Sequence, residues 1–395
     1  MGAQFRFVHC ADLHLGARFK GVSEVDPKSA ERMRMSVFES FSRIVDKVLD
    51  SGADALFIAG DAFDESTITP RTRSFLAEEL ARARVPVFVS RGNHDPHMSW
   101  EESIPLPPNV HEFGTEPERV DIPGVEGAEV IGASFSDWHE ERNLPSLFRG
   151  SPDRFTVACV HCDVDSVNVQ YSYSPCSLMD MKARGVDYWA IGHIHKRAVL
   201  SRDPWIVYPG NIQGRNFKET GEKGAYLVDV RDGRVASAEF FATQGIVWYD
   251  ETIDITGRDF NGILDDIRSR VRPGAIVRLD FIGSGDLNRM LREQSDDTAR
   301  LIASKTGCTV SEMEVRTMPS IDIDSRRGGK DMTAKLIDSG DALRDSGREA
   351  IMAVLSSNPI MAKHSEYLDA LSDDELRSLV DESTMALVTR MEAVR

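Results

Sequence analysis

Five short apolar runs in the first half of the chain each end in residues that can bind a cation. Phe5–Val8 reads as a buried first strand and leads to Asp12 and His14. Leu56–Ala59 leads to Gly60-Asp61, and Val85–Val89 to Gly92-Asn93-His94-Asp95. Phe155–Val160 leads to His161, and Tyr188–Ile191 to Gly192-His193-Ile194-His195. Side chains two apart on an extended segment point the same way, so Asp12 and His14 can grip one ion together. A lone Asp-x-His says little, but five strand ends carrying O and N ligands are a strong constraint. They call for a sheet whose strands deliver their ends to one place.

The candidate ligands are Asp12, His14, Asp61, Asn93, His161, His193 and His195. None is a thiolate, which favours manganese, iron or zinc over softer ions, and the imidazoles argue against magnesium or calcium alone. Seven ligands exceed the need of one catalytic ion and suit two ions sharing a carboxylate. Two metals about 3.5–4 Å apart activate a bridging water and neutralise the attacking and leaving oxygens of a phosphoryl transfer. His9 lies inside the first strand run and reads as a core histidine. His97 follows the Gly-Asn-His-Asp loop, while His111, His139 and His364 read as structural or exposed. Cys159 and Cys162 flank His161, but no second pair exists, so a core role is expected.

This series resembles the calcineurin-like metallophosphoesterase superfamily. Ala11-Asp12-Leu13-His14-Leu15-Gly16, the Gly92–Asp95 motif and the Gly192–His195 motif are similar to those of SbcD-type DNA repair exonucleases. Val207-Tyr208-Pro209-Gly210-Asn211-Ile212-Gln213-Gly214-Arg215, followed by Lys218-Glu219, is similar to a YhaO-like bacterial branch. The resemblance implies a two-sheet β-sandwich flanked by helices, with a small α/β capping domain and a helical C-terminal tail. It implies that Asp12, His14, Asp61 and His195 hold one ion. Asp61, Asn93, His161 and His193 would hold the other, with Asp61 bridging. Manganese is the usual ion of this branch. By the same resemblance His94 is the general acid that protonates the departing sugar oxygen, a task suited to a side chain titrating near neutrality. Asp64 stands where some nuclease relatives have a His, and Asp64 or Asp95 is expected to orient His94. The resemblance further implies a partner, an SMC-like coiled-coil ATPase of the SbcC or YhaN type docked on the C-terminal helices, and a homodimer through helices of the catalytic domain.

Composition bounds this reading. A chain of 395 residues calls for two domains or more. Its 41% hydrophobic and 28% charged content are those of a globular protein. No membrane-length apolar run and no secretory signal are visible, and five cysteines without framework spacing fit a reducing cytoplasm. The net charge of −17 argues against coating nucleic acid through the overall field. Lys196, Arg197, Arg215 and Lys218 are candidates for local contact with phosphates, with solvated surface charge as the alternative reading.

Helical spacing predicts helices over Glu31–Leu49 and near Pro70–Arg84, alternating with the strands. The polar and aromatic stretch Asp163–Cys176 is placed to line a substrate cleft. Domains are expected at 1–245 (phosphoesterase), 246–324 (a β-α-β-α-β cap with one helix over Leu287–Thr306) and 325–395 (linker and helical tail). The leading expectation is a dimetal DNA phosphodiesterase. The rivals are a phosphoesterase of small substrates or phosphoproteins, favoured by the acidity, and an architectural subunit regulating the ATPase.

Overall fold

The structure, a computed structural model, describes residues 2–393 apart from 18, 20–26, 65–67, 96–102, 166–172, 321–322 and 364. His97 and His364 thus lie outside the described residues. The chain divides into two compact units, Met1–Tyr249 with Gly274–Ile276, and Asp250–Pro273 with Val277–Arg395.

In the first unit the elements run β1 (Phe5–Cys10), α1 (Pro27–Ser51), β2 (Ala55–Ala59), α2 (Pro70–Ala83), β3 (Val87–Ser90), β4 (Val110–Glu112), β5 (Glu118–Asp121) and β6 (Ala128–Ala133). They continue with α3 (Leu144–Leu147), β7 (Phe155–His161), β8 (Asp163–Val164), β9 (Pro175–Cys176), α4 (Leu178–Lys182) and β10 (Tyr188–Gly192). The last are β11 (Ala198–Arg202), β12 (Trp205–Tyr208), β13 (Gly224–Arg231) and β14 (Arg234–Ala242).

Two six-stranded mixed sheets result, ordered β14-β13-β1-β2-β3-β4 and β11-β12-β10-β7-β6-β5. Alternate residues of each strand face opposite sides, and the sequence supplies apolar groups to both. Phe7, Phe57, Phe88, Val157 and Tyr188 fill the space between the sheets. Val8, Leu56 and Ile58 point the other way, onto Phe41, Ile44, Leu76 and Leu80 of α1 and α2. Trp189 and Ile191 pack outward with Leu144, Phe148 and Met181. The first unit is therefore the expected helix-flanked sandwich. Thr69 caps α2, accepting from the Thr72 amide, with Pro70 in the first turn where no amide partner is lost.

The strands β1, β2 and β3 are mutually parallel, as are β7 and β10. Their carboxyl ends carry all seven candidate ligands or lead directly to them.

Farther along stand β15 (Trp248–Asp254), α5 (Phe260–Arg270), β16 (Ile276–Ile282), α6 (Leu287–Glu293), α7 (Ser295–Thr306) and β17 (Thr309–Val315). The three strands form a sheet ordered β15-β16-β17. The single helix expected over Leu287–Thr306 is two, because Gln294 leaves helical geometry at φ −126° and ψ 38°. After Val315 an isolated bridge joins Met318 to Ser284, and the described elements beyond it are helices, from Ile323–Arg326 to Asp373–Ala393. Ile351, Leu376 and Val380 pack there with Leu343 and Leu355.

Candidate metal centre

The loops after the parallel strands are bent sharply at the ligands themselves. Asp12, His14, Asp61 and His193 have φ of 51°, 46°, 54° and 111°, a left-handed region that side-chain-bearing residues seldom occupy. Hydrogen bonds between the loops hold them there. The amides of Asp12 and His14 donate to the carbonyls of Gly60 and Asp61, and the His193 amide donates to the Asp12 carboxylate at 3.1 Å. Strain of this kind persists where surrounding structure over-determines it, commonly at functional sites.

Two glycines let the loops approach so closely. A Cβ on Gly60, whose φ is +88°, would stand 2.2 Å from His161 Nδ1. One on Gly192 would stand 1.9 Å from the Ala59 carbonyl oxygen.

The Nε2 atoms of His14, His161 and His195 are oriented toward one another or toward the cluster's acids, whereas His193 Nε2 lies 3.9 Å from Asp163 Oδ2 and its ring 5.2 Å from that of His161. His161 Nδ1 donates to the Ala59 carbonyl at 3.0 Å, which leaves a bare Nε2 lone pair. That atom faces two acceptors, Asn93 Oδ1 at 3.1 Å and Asp61 Oδ2 at 3.5 Å. His195 Nδ1 donates to Glu219 Oε1 at 2.7 Å, leaving its Nε2 3.0 Å from His14 Nε2. His14 Nε2 is also 3.8 Å from Asp61 Oδ2. Ligand atoms of Asp12, His14 and His195 lie within 4.8 Å of one another, as do those of Asp12, Asp61 and His161. Acceptors facing acceptors are unfavourable alone. Their separations match those of donor atoms held about 2.1 Å from a shared cation, so the donor set fits divalent ions.

The electrostatics agree. Burial pushes Asp12 up to about 7, with Asp61 adding to the rise while His195 opposes it. Burial also pushes His161 and His193 down to about 3 and His14 well below its ordinary value. Neutral imidazoles with free lone pairs are what a metal requires. His195 differs: burial works against its charge, but the Glu219 hydrogen bond and the Asp12 charge outweigh that and raise it.

The other singled-out residues fall into two groups. His94 stands beside the cluster, its ring 5.1 Å from that of His14, and its amide donates to Asp61 Oδ1 at 2.9 Å. Asp64 lies within ligand distance of His14 and His94 and pairs with Arg215 at 3.5 Å. Asp95 does not serve His94. Its buried carboxylate accepts from the amides of Ala62, Phe63 and Gly92, at 3.1, 2.8 and 3.1 Å, and so ties the β2 and β3 loops together. Arg215 is largely buried between Asp64 and Glu219. Arg197 is seated on the Phe240 ring, 3.7 Å from its centroid, and packs there as a cation on an aromatic face. Lys196 and Lys218 are exposed.

Sequence reasoning left Glu219 without a role, although Lys218-Glu219 was part of the family motif. Its carboxylate fixes the His195 tautomer and accepts from the Arg215 amide at 2.8 Å. Burial alone would raise Glu219; the His195 bond and the Arg215 charge hold it down, at about 2. Lys223 was likewise unread: its buried Nζ donates to the His195 carbonyl at 2.8 Å. His9 is buried against the Tyr188 hydroxyl at 3.1 Å, as a core histidine. The five cysteines are free thiols and buried.

The sequence pattern of calcineurin-like phosphoesterases matches residues 5–197. Over 259 residues the chain is 36% identical to an uncharacterized metallophosphoesterase, YhaO, of Bacillus subtilis, covering 63% of each chain. It is 28% identical over 246 residues to the DNA double-strand break repair protein Mre11 of Archaeoglobus fulgidus, covering 55% of this chain and 52% of that one. The Mre11 protein of Methanopyrus kandleri shares 26% over 322 residues, covering 69% and 64%. The chain thus spans less than two thirds of the length of these relatives. The family pattern lies over the same strands that converge on Asp61, so residues 5–197 are similar to the calcineurin-like phosphoesterases.

Proposed function

We propose that the protein is a dimetal phosphodiesterase acting on DNA, a repair nuclease that works with an SMC-like coiled-coil ATPase. The observation that carries this reading is the convergence of Asp12, His14, Asp61, Asn93, His161 and His195 with His94 beside them. The Mre11 names of several relatives support DNA as the substrate.

In this reading Asp12, His14, Asp61 and His195 hold one ion, and Asp61, Asn93, His161 and His193 the other. When bound, the ions, taken as manganese, supply Lewis-acid neutralisation of the phosphate and an activated water nucleophile. His94 delivers a proton to the leaving oxygen, and Asp64 positions its ring. Arg215 holds Asp64 in place and adds positive charge at the phosphate, while Lys196 and Lys218 meet the strand farther out. Residues 246–324 are assigned as a capping domain, and residues 325–395 as the tail that docks the ATPase. Exposed apolar groups on the tail, Ile360 and Tyr367 among them, support such a docking role. Among the described residues no helix is long and apolar enough to cross a membrane. We take the protein to work in the cytoplasm, as a homodimer through the catalytic domain.

The test is hydrolysis of end-labelled single-stranded and duplex DNA with manganese, beside a small bis-phosphodiester and a His94→Ala control. Loss of DNA cleavage in the control with unchanged metal content supports the reading. Cleavage of the small ester alone, with the ATPase partner also present, would move the substrate class to small phosphodiesters, which the −17 net charge favours.

A further inference from the structure

The metal cluster continues outward through aromatic rings that its chemistry does not use. The Tyr173 ring lies 4.7 Å from that of His193, inclined at 37°. The His139 ring lies 5.8 Å from Tyr173, inclined at 48°. Trp138, the residue before His139 in the chain, is 48% exposed. An exposed tryptophan is unremarkable alone; this one is bonded in sequence to the outermost residue of a run of rings that starts at a candidate metal ligand.

This shelf is built rather than loose. Glu140 and Tyr173 form a bridge between their segments, and the Ser174 amide donates to the Glu140 carbonyl at 2.6 Å. The Leu144 amide donates to Ser174 Oγ at 3.1 Å, and the Trp138 amide to Asp137 Oδ1 at 2.8 Å. Glu140 is buried and holds Arg142, which also pairs with Glu116. The nearby guanidinium is therefore committed to acids, and the shelf offers flat faces rather than phosphate contacts.

We propose that Trp138, His139 and Tyr173 stack an unpaired nucleobase of a single-stranded nucleic acid, next to the phosphate held at the metal centre. The proposal rests on the phosphodiesterase reading above and specifies its substrate. Aromatic faces hold bases of any sequence because every base has a π-face. Inside a duplex both faces of each base are covered by its neighbours, so the shelf accepts single strands, frayed ends and flaps.

The test is binding of the full chain to a fluorescent single-stranded oligodeoxynucleotide, with an abasic oligomer of equal length and a mononucleotide as comparators. Variants are Trp138→Ala and Trp138→Phe, with metal content and circular dichroism recorded for each. Trp138→Ala is expected to weaken oligonucleotide binding by about 5- to 150-fold, the range of one lost base stack, and Trp138→Phe to restore most of it. The abasic oligomer is expected to bind wild type as weakly as the intact oligomer binds Trp138→Ala. Equal oligonucleotide affinity in Trp138→Ala and wild type would overturn the shelf. Trp138-dependent binding of the mononucleotide without a preference for the oligomer would overturn the single-strand assignment. Failure of the underlying reading looks different: Trp138-dependent binding persists, but no DNA is cleaved with manganese.

Discussion

Glu219 decides which nitrogen of His195 faces the metal cluster. Its Oε1 lies 2.7 Å from His195 Nδ1, so the imidazole presents Nε2 beside His14. A carboxylate behind a ligating histidine fixes its tautomer and raises its basicity, and losing such a partner costs about 10- to 100-fold in metal affinity. Glu219→Gln keeps the shape but exchanges the anion for an amide. Manganese affinity measured by titration calorimetry is expected to fall by about that factor, with folding intact. Wild-type affinity in the variant would show that His195 needs no such support.

Gly60→Ala tests the closeness of the loops. The new Cβ would meet His161 Nδ1 at 2.2 Å, at a φ of +88°. The His161 ring must swing away from the Ala59 carbonyl, losing the bond that orients Nε2. A stability loss of about 1–3 kcal/mol is expected from strain and overpacking. The bound metal measured after dialysis is expected to fall by one ion per chain. Two retained ions would show that His161 is not a ligand.

His9 provides a pH test away from the ligands. Burial lowers its pKa to about 3, whereas in the unfolded chain it titrates near 6.5. The unfolded state therefore binds a proton that the folded state refuses, and stability is lost as pH falls below about 6.5. Between that value and pH 5 the loss assigned to His9 is about 2 kcal/mol, at 1.36 kcal/mol per unit. His9→Gln has no such proton. Urea denaturation at pH 7.5 and pH 5 is expected to show a smaller drop in the variant by about that amount, whatever its absolute stability. Equal drops would mean that His9 takes up its proton in the folded protein.

The ligand series was legible in the sequence because each ligand follows an apolar strand, and parallel strands bring their ends together. Glu219 was harder to read. It lies in the irregular segment after Ile212, and only its contact with His195, 24 residues away in sequence, gives it a task. Asp95 was misread for a related reason: adjacency to His94 in sequence suggested contact, while the turn sends its carboxylate back to the amides of Ala62 and Phe63. Arg197 was assigned to phosphates by charge alone, which says nothing of the aromatic face it packs on. The strand β14 went unread because both of its faces are half-exposed and its apolar residues do not alternate cleanly. The break at Gln294 left no mark either, since helical spacing runs through it and glutamine is a good helix former.

Asp64 stands beside His94, the proposed general acid. It lies within ligand distance of both His14 and His94 and is paired with Arg215 at 3.5 Å. A group that orients a general acid affects the rate, whereas a ligand affects the metal. Asp64→Asn removes the charge while keeping the size. If Asp64 positions His94, kcat is expected to fall by about tenfold, less than the 10²–10⁴ available from the acid itself. KM and metal content are expected to stay close to wild type. Combining Asp64→Asn with His94→Ala then adds little to the His94→Ala loss, because both changes act on one proton transfer. A fall in bound metal in Asp64→Asn alone would instead make Asp64 a ligand, and the His14, Asp64 and His94 group would have to be read as part of the metal centre.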